Sequence, residues 1–406
     1  MSVLSYLEKL LDGVDVEWLS LGSIAVIKTG QSVNKKMISD NSGKYPVINS
    51  GRAPLGFIDT WNTDDDPIGI TTRGAGVGSI TWQDGRYFRG NLNYSVTIKK
   101  DCSIKVRYMY HLLLQMQKDI QELCTFDGIP ALNASNLKRL QIPIPCPDTP
   151  EKSLAIQSEI VRILDKFTAL TAELTAELTA RKKQYNYYRD QLLSFDEKNR
   201  GSHLEKLLDG AEVKWVPLGN SSYFEIANNG RKPVKSSLRT AGETPYYGAN
   251  NIQDYVEGYT HDGEYVLIAE DGSASLEQYS IQYAKGKFWA NNHVHVVRGN
   301  DLVDSRYLYH YLCIANFIPF LTGGTRAKLT KGQLVEISVP IPYPNNPEKS
   351  LAIQSEIVRV LDKFNTLTNS ISEGLPREIE LRQQQYEYYR DLLFSFPKPE
   401  IAQNTH

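Results

Sequence analysis

Basic and amide side chains flank glycines at several points in the first half of the chain, a pattern that suits contact with DNA. Residues 71–76 carry Thr71, Thr72 and Arg73 ahead of two glycines. Glycine lets a backbone approach a phosphate, and arginine can donate two hydrogen bonds to a guanine in the major groove. A plain glycine-rich turn between two strands is the alternative interpretation.

A second group surrounds the segment FRGNLNYSV and contains Arg86, Arg89 and Asn91. Asparagine suits adenine as arginine suits guanine, because each side chain can make two hydrogen bonds to one base edge. The alternation of polar and apolar residues in this segment is also typical of a half-exposed strand. A polar strand face is therefore the alternative here.

A third group lies in a loop that leads to a strand and then to a proline cluster. Its members are Asn133, Ser135, Asn136 and Lys138. Amides and cations on such a loop suit phosphate and base-edge contacts, although capping of a short helix would explain them as well. Lys35 and Lys36 are expected to contact phosphates, with solvated surface charge as the alternative.

The second half of the chain has counterparts to each group, but with different residues. The position of the first group is acidic there, at Glu270 and Asp271. A base contact at that position would have to accept a hydrogen bond, for example from the amino group of cytosine. The candidates in this half are Arg231, Lys232, Lys235, Asn291, Asn292, His293, Arg326, Lys328 and Lys331.

An internal repeat marks the elements that must position these residues. Residues 150–167 and 347–364 both read PEKSLAIQSEIV followed by RILDKF or RVLDKF, and LEKLLDG occurs at 7–13 and at 204–210. Both pairs are offset by 197 residues, which makes the chain a tandem pseudo-dimer. The interiors between the repeats share only scattered residues. Matched joints with dissimilar interiors fit a partner of twofold-like geometry, such as duplex DNA.

Each long repeat is predicted to open a helix. Thr149 and Asn346 are suitable N-caps, and the prolines that follow them fit the first helical position. Apolar residues then recur every three or four positions as far as Phe195, which predicts one long helix of coiled-coil type. The second helix is expected to kink or break at residues 374–376, where Gly374 and Pro376 interrupt the pattern.

Composition favours a globular cytoplasmic protein. Of 406 residues, 41% are hydrophobic and 23% charged, the formal net charge is −2 at pH 7, and no run of residues is long and apolar enough to span a membrane. The four cysteines lack metal-ligand spacing. Methyltransferase, phosphate-loop and nuclease motifs are absent from the sequence. We therefore expect no catalytic residues, no cofactor and no metal.

The doubled segments, together with the tandem TAEL at residues 171–174 and 175–178, resemble the specificity (S) subunits of type I restriction-modification systems, most closely the type IC members. The resemblance covers the whole chain. It implies an α+β protein in which two target recognition domains of mixed α/β structure are separated by two long antiparallel, coiled-coil-like helices. The domains would span residues 1–147 and 201–344, and the helices residues 148–200 and 345–406.

The resemblance also implies function and partners. Each domain would read one half of a split double-stranded DNA sequence, two methyltransferase (M) subunits would bind the helices, and restriction (R) subunits would join them, so that catalysis lies in the partners. We expect a stripe of helix side chains to serve helix packing and partner contact. Its members are Leu174, Leu178, Tyr185, Tyr188, Tyr386 and Tyr389.

Two other functions fit the same sequence less closely. One is a coiled-coil scaffold whose two domains bind proteins or other ligands. The other is a self-contained nuclease with an unfamiliar site.

The TAEL units generate a prediction about target spacing. One further unit inserted after Leu178 should change the distance between the two half-targets and leave their bases unchanged, since four residues lengthen a helix by about 6 Å and rotate it by about 40°. Methylation mapping in cells that carry the altered gene with its partner genes measures both properties. Altered bases in either half-target would contradict the prediction.

Overall fold

The computed structural model describes residues 10, 13–51, 53–126, 128–195, 202–323, 327–370 and 372–397. Its contacts group the chain into two compact units. Unit 1 contains the residues up to 175 and those from 378 onward, and unit 2 contains residues 176–377. Each unit therefore combines one of the two dissimilar interiors with segments that lie far away in sequence.

The strands of unit 1 are β1 (Val16–Ser20), β2 (Ala25–Thr29), β3 (Ser42–Ile48), β4 (Phe57–Ile58), β5 (Ile68–Thr71), β6 (Ile80–Trp82), β7 (Phe88–Arg89), β8 (Asn93–Ile98) and β9 (Gln141–Pro145). They form an antiparallel pair β1-β9, a four-stranded sheet in the order β2-β8-β5-β6, and a three-stranded sheet in the order β4-β3-β7. The helices of this half are α1 (Leu21–Ile24), α2 (Lys35–Asp40), α3 (Val106–Gln115), α4 (Gln117–Glu122), α5 (Ala134–Leu137) and the long helix α6 (Pro150–Leu193).

The strands of unit 2 are β10 (Val213–Pro217), β11 (Phe224–Ile226), β12 (Ala241–Tyr247), β13 (Ile252–Val256), β14 (His261–Ala269), β15 (Ile281–Ala290), β16 (Val294–Gly299) and β17 (Ser338–Pro342). Strands β10 and β17 pair, and the others form one sheet in the order β11-β16-β14-β15-β12-β13. The helices of the second half of the chain are α7 (Ser202–Leu208), α8 (Ser305–Leu312), α9 (Lys331–Leu334), α10 (Pro347–Asn369) and α11 (Gly374–Leu393), with 3₁₀ turns at Asn228–Gly230, Ser236–Leu238 and Ile318–Phe320.

The predicted helix boundaries are largely confirmed. Helix α6 begins at Pro150 and has 44 residues, which at 1.5 Å per residue is about 66 Å. Helix α10 begins at Pro347, and the side chain of Asn346 accepts a hydrogen bond from Lys349 N, as expected of an N-cap. The predicted break is present, but it lies before Gly374, which has a φ of +77° and starts α11. Pro376 then falls in the first turn, where its missing N–H has no cost.

The repeated residues supply core side chains to both units. Ile156, Ile160 and Leu164 of α6 are buried in the core of unit 1, and the matching residues of α10 are buried in unit 2. Distant segments complete each core: Leu393, Phe394 and Phe396 enter unit 1, and Leu192, Leu193 and Phe195 enter unit 2. The α+β architecture with long helices is thus confirmed.

Within unit 1, the segments of α6 and α11 run antiparallel. Tyr389 of α11 stacks on Phe167 of α6, with 5.2 Å between ring centroids. Further along the chain, Pro397 O accepts a hydrogen bond from Trp18 Nε1 at 2.9 Å, and Trp18 lies opposite Pro143, shortly before the start of α6. As α11 advances, its contacts therefore move back toward the beginning of α6.

A buried glutamine explains why the repeat is so closely kept. The side chain of Gln157 is fully buried. Its Oε1 accepts from Lys105 N at 2.8 Å, and its Nε2 donates to Ser103 O at 3.0 Å and to Ser153 Oγ at 3.1 Å. Gln354 makes the same three contacts in unit 2, with Asp304 N, Leu302 O and Ser350 Oγ. Each glutamine thus joins its long helix to the backbone ahead of α3 or α8.

Replacing this amide should destabilise the protein strongly. Gln157→Leu leaves Lys105 N–H and Ser103 C=O without their partner, so we expect the free energy of unfolding to fall by roughly 2–4 kcal/mol. Gln354→Leu should act alike in unit 2, whereas Gln383→Leu, at an exposed position of α11, should stay within about 0.5 kcal/mol of the wild type. Urea unfolding followed by circular dichroism gives the comparison. A wild-type transition for Gln157→Leu would refute the assigned role.

Candidate nucleic-acid interface

Three loops of unit 1 meet at the end of strand β5. Main-chain hydrogen bonds join them: Thr72 N donates to Leu92 O at 2.9 Å, and Leu132 N donates to Thr72 O at 2.8 Å. The structure therefore brings parts of all three sequence-predicted groups together. The first loop edge, as we name this surface, comprises residues 72–76, 90–92 and 129–133.

The exposed side chains of the first loop edge include one cation and two amides. Arg73, Asn91 and Asn133 are all exposed. Among the residues that the structure describes, none makes a hydrogen bond or ion pair with the Arg73 side chain. Ser135 and Lys138 lie exposed just beyond the edge, whereas Asn136 is held in place by donating to Leu123 O at 3.2 Å. Arg73 is thus free to bind an external acceptor.

An apolar tip beside Arg73 was not predicted. Phe126 is 62% exposed and Ile129 is 69% exposed. Main-chain hydrogen bonds between Thr125 and Ala131 close the base of this loop, and Gly74 N donates to Pro130 O at 3.0 Å. The signal in the sequence was a pair of large apolar residues around Gly128, in a loop that cannot bury them.

Thr71 and Thr72 do not contribute hydroxyl groups to the edge, which corrects the sequence prediction. Thr71 is fully buried and Thr72 is 7% exposed. The four residues of β5 are all buried, since the strand lies between β6 and β8. Thr72 takes part through its backbone alone. The segment still serves the edge, because it carries Arg73 to the surface.

Arg89 is a structural residue, contrary to its predicted contact with DNA. It is 3% exposed. Its guanidinium donates to the carbonyl oxygens of Asp66, Ile68 and Tyr94 and to Asn93 Oδ1, at 2.6–3.1 Å, and it also contacts the hydroxyl of Tyr87. Burial lowers the pKa of this guanidinium. Because the side chain is buried and both of its terminal nitrogens are committed to these acceptors, Arg89 cannot reach a base.

Arg86 lies away from the edge, so its predicted grouping with Asn91 is wrong. It follows β6 in the chain. The last residue of β6, Trp82, pairs with the first residue of β5, Ile68, and Gln83 N donates to Pro67 O just before β5. The guanidinium pairs with Asp64 at 3.0 Å and lies 4.6 Å from the ring centroid of Trp61. Arg86 therefore occupies the end of β5 opposite to the first loop edge.

Unit 2 has a second loop edge with the same main-chain pattern, formed by residues 270–273, 291–293 and 327–330. Glu270 N donates to His293 O at 2.8 Å, and Leu329 N donates to Glu270 O at 2.7 Å. Asn292, His293 and Lys328 are exposed, whereas Asn291 is buried and its Oδ1 accepts from His293 N at 2.8 Å. Asn291 is therefore a loop-shaping residue and not a base contact.

The acidic residues of the second loop edge are paired with side chains of the same unit, Glu270 with two cations and Asp271 with a histidine. Glu270 contacts Arg231 at 2.6 Å and Lys328 at 3.1 Å, and Asp271 contacts His293 at 2.5 Å. Burial alone would raise the pKa of Glu270, but the hydrogen bonds from Arg231 and Lys328 outweigh it and hold that pKa below its usual value. The charge of Glu270 is thus offset by its two cationic neighbours.

Most of the remaining predicted cations are exposed near the two edges. Lys35 and Lys36 open helix α2 and are exposed, and the preceding Gln31 forms a bridge with Gly90 of the first loop edge. Lys232 N donates to Ala290 O, one residue before the second loop edge. Lys235 and Lys331 are also exposed. Arg326 lies outside the described residues.

The stripe of helix side chains packs inside the units, as its predicted packing role requires, and its contact with a partner stays a prediction. Leu174 is buried and Leu178 half-buried. Tyr188 stacks on Phe364 at 5.4 Å, Tyr389 stacks on Phe167, and the hydroxyl of Tyr386 bonds His111. Burial raises the pKa of Tyr185, which is half-buried in unit 2. Tyr187 and Tyr388, at 55% and 57% exposed, are the tyrosines left open on these helices.

The described residues contain neither a candidate metal-binding group nor a candidate membrane-spanning helix. They contain no group of three or more His, Cys, Asp or Glu residues arranged to hold a metal ion. Among these residues, no helix is both long and apolar enough to cross a bilayer.

Comparison with known proteins gives one consistent family. A family model described as "Type I restriction modification DNA specificity domain" matches residues 13–181 and 212–381. The chain is 38% identical to the EcoR124I/EcoR124II specificity subunit of Escherichia coli over the full length of both. It is 59% identical to a putative type I restriction enzyme specificity subunit of Haemophilus influenzae over 202 residues, 49% of this chain and 50% of that protein.

A solved structure supports the fold. The crystal structure of a type I restriction-modification S subunit from M. genitalium matches with a TM-score of 0.65 and 22% identity, covering 96% of this chain and 98% of that one. At this level of identity the match supports the architecture alone.

The ion pairs of Glu270 generate a pH prediction. Because its pKa is held low in the folded protein, its contribution to stability is present above the usual carboxyl pKa and is lost as the pH falls through the folded value. Glu270→Gln should therefore be about 1 kcal/mol less stable than the wild type at pH 7, and the gap should narrow in acid. Thermal unfolding across a pH series, with the exposed Glu277→Gln as control, measures the gap. A gap that does not depend on pH would rule out this role.

Proposed function

Because the chain belongs to the type I restriction-modification DNA specificity family, we propose that its two loop edges each read one half of a split double-stranded DNA target. The chain is a non-catalytic specificity subunit, so its task is to choose where partner enzymes act. One observation carries the assignment to the edges. Both units join three loops by the same main-chain hydrogen bonds, yet expose different side chains on them.

The first loop edge offers donors suited to purines. Arg73 has no partner among the described residues, and its guanidinium can donate to O6 and N7 of guanine. Asn91 and Asn133 can each make two hydrogen bonds to an adenine. Lys35 and Lys36 on α2 are exposed cations that can neutralise phosphates, as can Lys138. This edge therefore combines base reading with backbone contact.

The second loop edge offers a mixed set of donors and acceptors. Lys328 and Arg231 hold Glu270 in place, and Asp271 holds His293. Carboxylates fixed in this way can accept from the amino group of cytosine, while Asn292 can contact adenine. Lys232, Lys235 and Lys331 are exposed and can bind phosphates. The two edges should consequently prefer different half-targets.

Partners complete the proposed assembly. We assign residues 1–147 and 201–344 as the target recognition domains, and residues 148–200 and 345–406 as the helical regions. Two methyltransferase (M) subunits are proposed to bind the helices, where Tyr187 and Tyr388 are exposed, and restriction (R) subunits to join them. Such a complex would act on chromosomal DNA in the cytoplasm.

Arg73 provides the direct test. Methylation mapping first gives the target, and fluorescence anisotropy then measures binding of labelled duplexes by the chain together with its methyltransferase partner. Arg73→Ala should weaken binding of the cognate duplex by roughly 5- to 100-fold, and should reduce base discrimination in one half-target only.

Arg86→Ala is the matched control for this measurement. It removes the same charge from an exposed position of the same unit, at the opposite end of β5, and should change affinity by less than about 2-fold. Equal effects of the two substitutions would contradict the assignment of the first loop edge. A wild-type complex that binds all duplexes equally would favour the scaffold alternative.

A further inference from the structure

A short motif recurs inside the otherwise dissimilar interiors. RYMYH at residues 107–111 lies in α3, and RYLYH at residues 306–310 lies in α8. The repeated long segments contribute Asp165 and Asp362 at matching positions. Both units therefore contain the same set of arginine, histidine and aspartate at matching positions.

In unit 1 these residues form a network between the recognition domain and the helices. Asp165 Oδ1 accepts from Arg107 Nε at 2.8 Å and lies 2.8 Å from His111 Nε2. His111 Nδ1 lies 2.9 Å from the hydroxyl of Tyr386. Three distant segments thus meet at one fully buried imidazole. We name Arg107, His111, Asp165 and Tyr386 the first joint.

The protonation state gives each hydrogen bond of the first joint a direction. Burial lowers the pKa of His111 to about 4, against the opposing hydrogen bond to Asp165. The imidazole is therefore neutral at pH 7. Nε2–H then donates to the carboxylate of Asp165, and Nδ1 accepts from the Tyr386 hydroxyl. A neutral ring with both nitrogens engaged can adopt only one orientation.

Unit 2 contains the same core of contacts, the second joint. Asp362 Oδ1 accepts from Arg306 Nε at 2.8 Å and lies 2.7 Å from His310 Nε2. His310 is 1% exposed. Tyr185 occupies the position in its YNYYRD segment that Tyr386 occupies in YEYYRD. The contacts among arginine, histidine and aspartate are thus built twice, from separate residues.

Each joint also reaches the strand that leads from its loop edge. The Arg107 guanidinium lies 4.5 Å from the ring centroid of Trp82 on β6, and the Arg306 guanidinium lies 4.5 Å from that of Tyr283 on β15. Strands β6 and β15 pair with β5 and β14, which lead into the loops that carry Arg73 and Glu270. A continuous series of contacts therefore runs from the long helix to the edge.

We propose that the two joints are positioning devices, which fix the angle of each recognition domain on its helices so that the chain discriminates the spacing between its half-targets. The inference rests on the proposed DNA reading by the loop edges. Apolar contacts are non-directional and allow a domain to rotate against the helices on which it packs. Hydrogen bonds prefer a narrow range of donor–acceptor angles and therefore restrict this rotation. A buried polar network often adds little to stability compared with apolar packing, so its retention in both units points to geometry.

The test uses the chain with its methyltransferase partner and duplexes that carry both mapped half-targets. The spacer has its native length or is one base pair shorter or longer. Asp165→Asn and Asp362→Asn should each reduce the preference for the native spacer by at least about 5-fold. Discrimination among bases within each half-target should change by less than about 2-fold, because the loop edges are untouched.

A milder pair of variants keeps the test meaningful if Asp165→Asn unfolds the protein. Tyr386→Phe removes one hydroxyl and keeps the ring beside His111, and it should lower the spacer preference by about 3-fold, the effect of losing one hydrogen bond of modest strength. Tyr389→Phe is the control, since its ring stacks on Phe167 and its hydroxyl has no hydrogen-bond partner among the described residues. It should match the wild type.

The possible outcomes separate the two proposals. If the wild type discriminates bases and spacers while Tyr386→Phe and Asp165→Asn keep the full spacer preference, the joints are merely structural. A uniform loss of affinity for all spacers leads to the same conclusion. If the wild type discriminates no bases at all, the DNA-reading function itself fails.

Discussion

The structure depends on the sharing of core residues between distant segments of the chain. Neither interior completes its own core: unit 1 needs the end of α11, and unit 2 needs the end of α6. These side chains are large and buried, and burial of one such side chain contributes roughly 1.5–3 kcal/mol. Folding of each recognition domain is therefore coupled to formation of the long helices.

This coupling explains the contrast between the repeated and the dissimilar segments. Ile160, Leu164 and Gln157 touch the domain core or its backbone, so most substitutions there would leave a cavity or an unpaired polar group. The same constraint acts on the equivalent residues of α10. The repeat is thus kept by packing that both units require in the same form.

The loop edges follow a different rule, because backbone atoms hold them together. The hydrogen bonds from Thr72 N and Glu270 N do not depend on which side chains stand at those positions. An arginine in one unit and an aspartate in the other can therefore follow the same strand end without altering the loop. A scaffold of this kind lets the reading surface vary while the frame stays constant.

The sequence alone determined the repeat, the starts of α6 and α10 and the presence of a break in the second long helix, and its doubled segments indicated the family. The helix starts and the break arise from local rules of proline, capping and periodicity, which act over a few residues. Only the tertiary structure decided that Arg73 is exposed while Arg89 is buried, that Glu270 is paired with Arg231 and Lys328, and that the Tyr386 hydroxyl bonds His111. Each of these outcomes depends on residues far apart in the chain, and a pattern of neighbouring residue types carries no information about contacts at that distance.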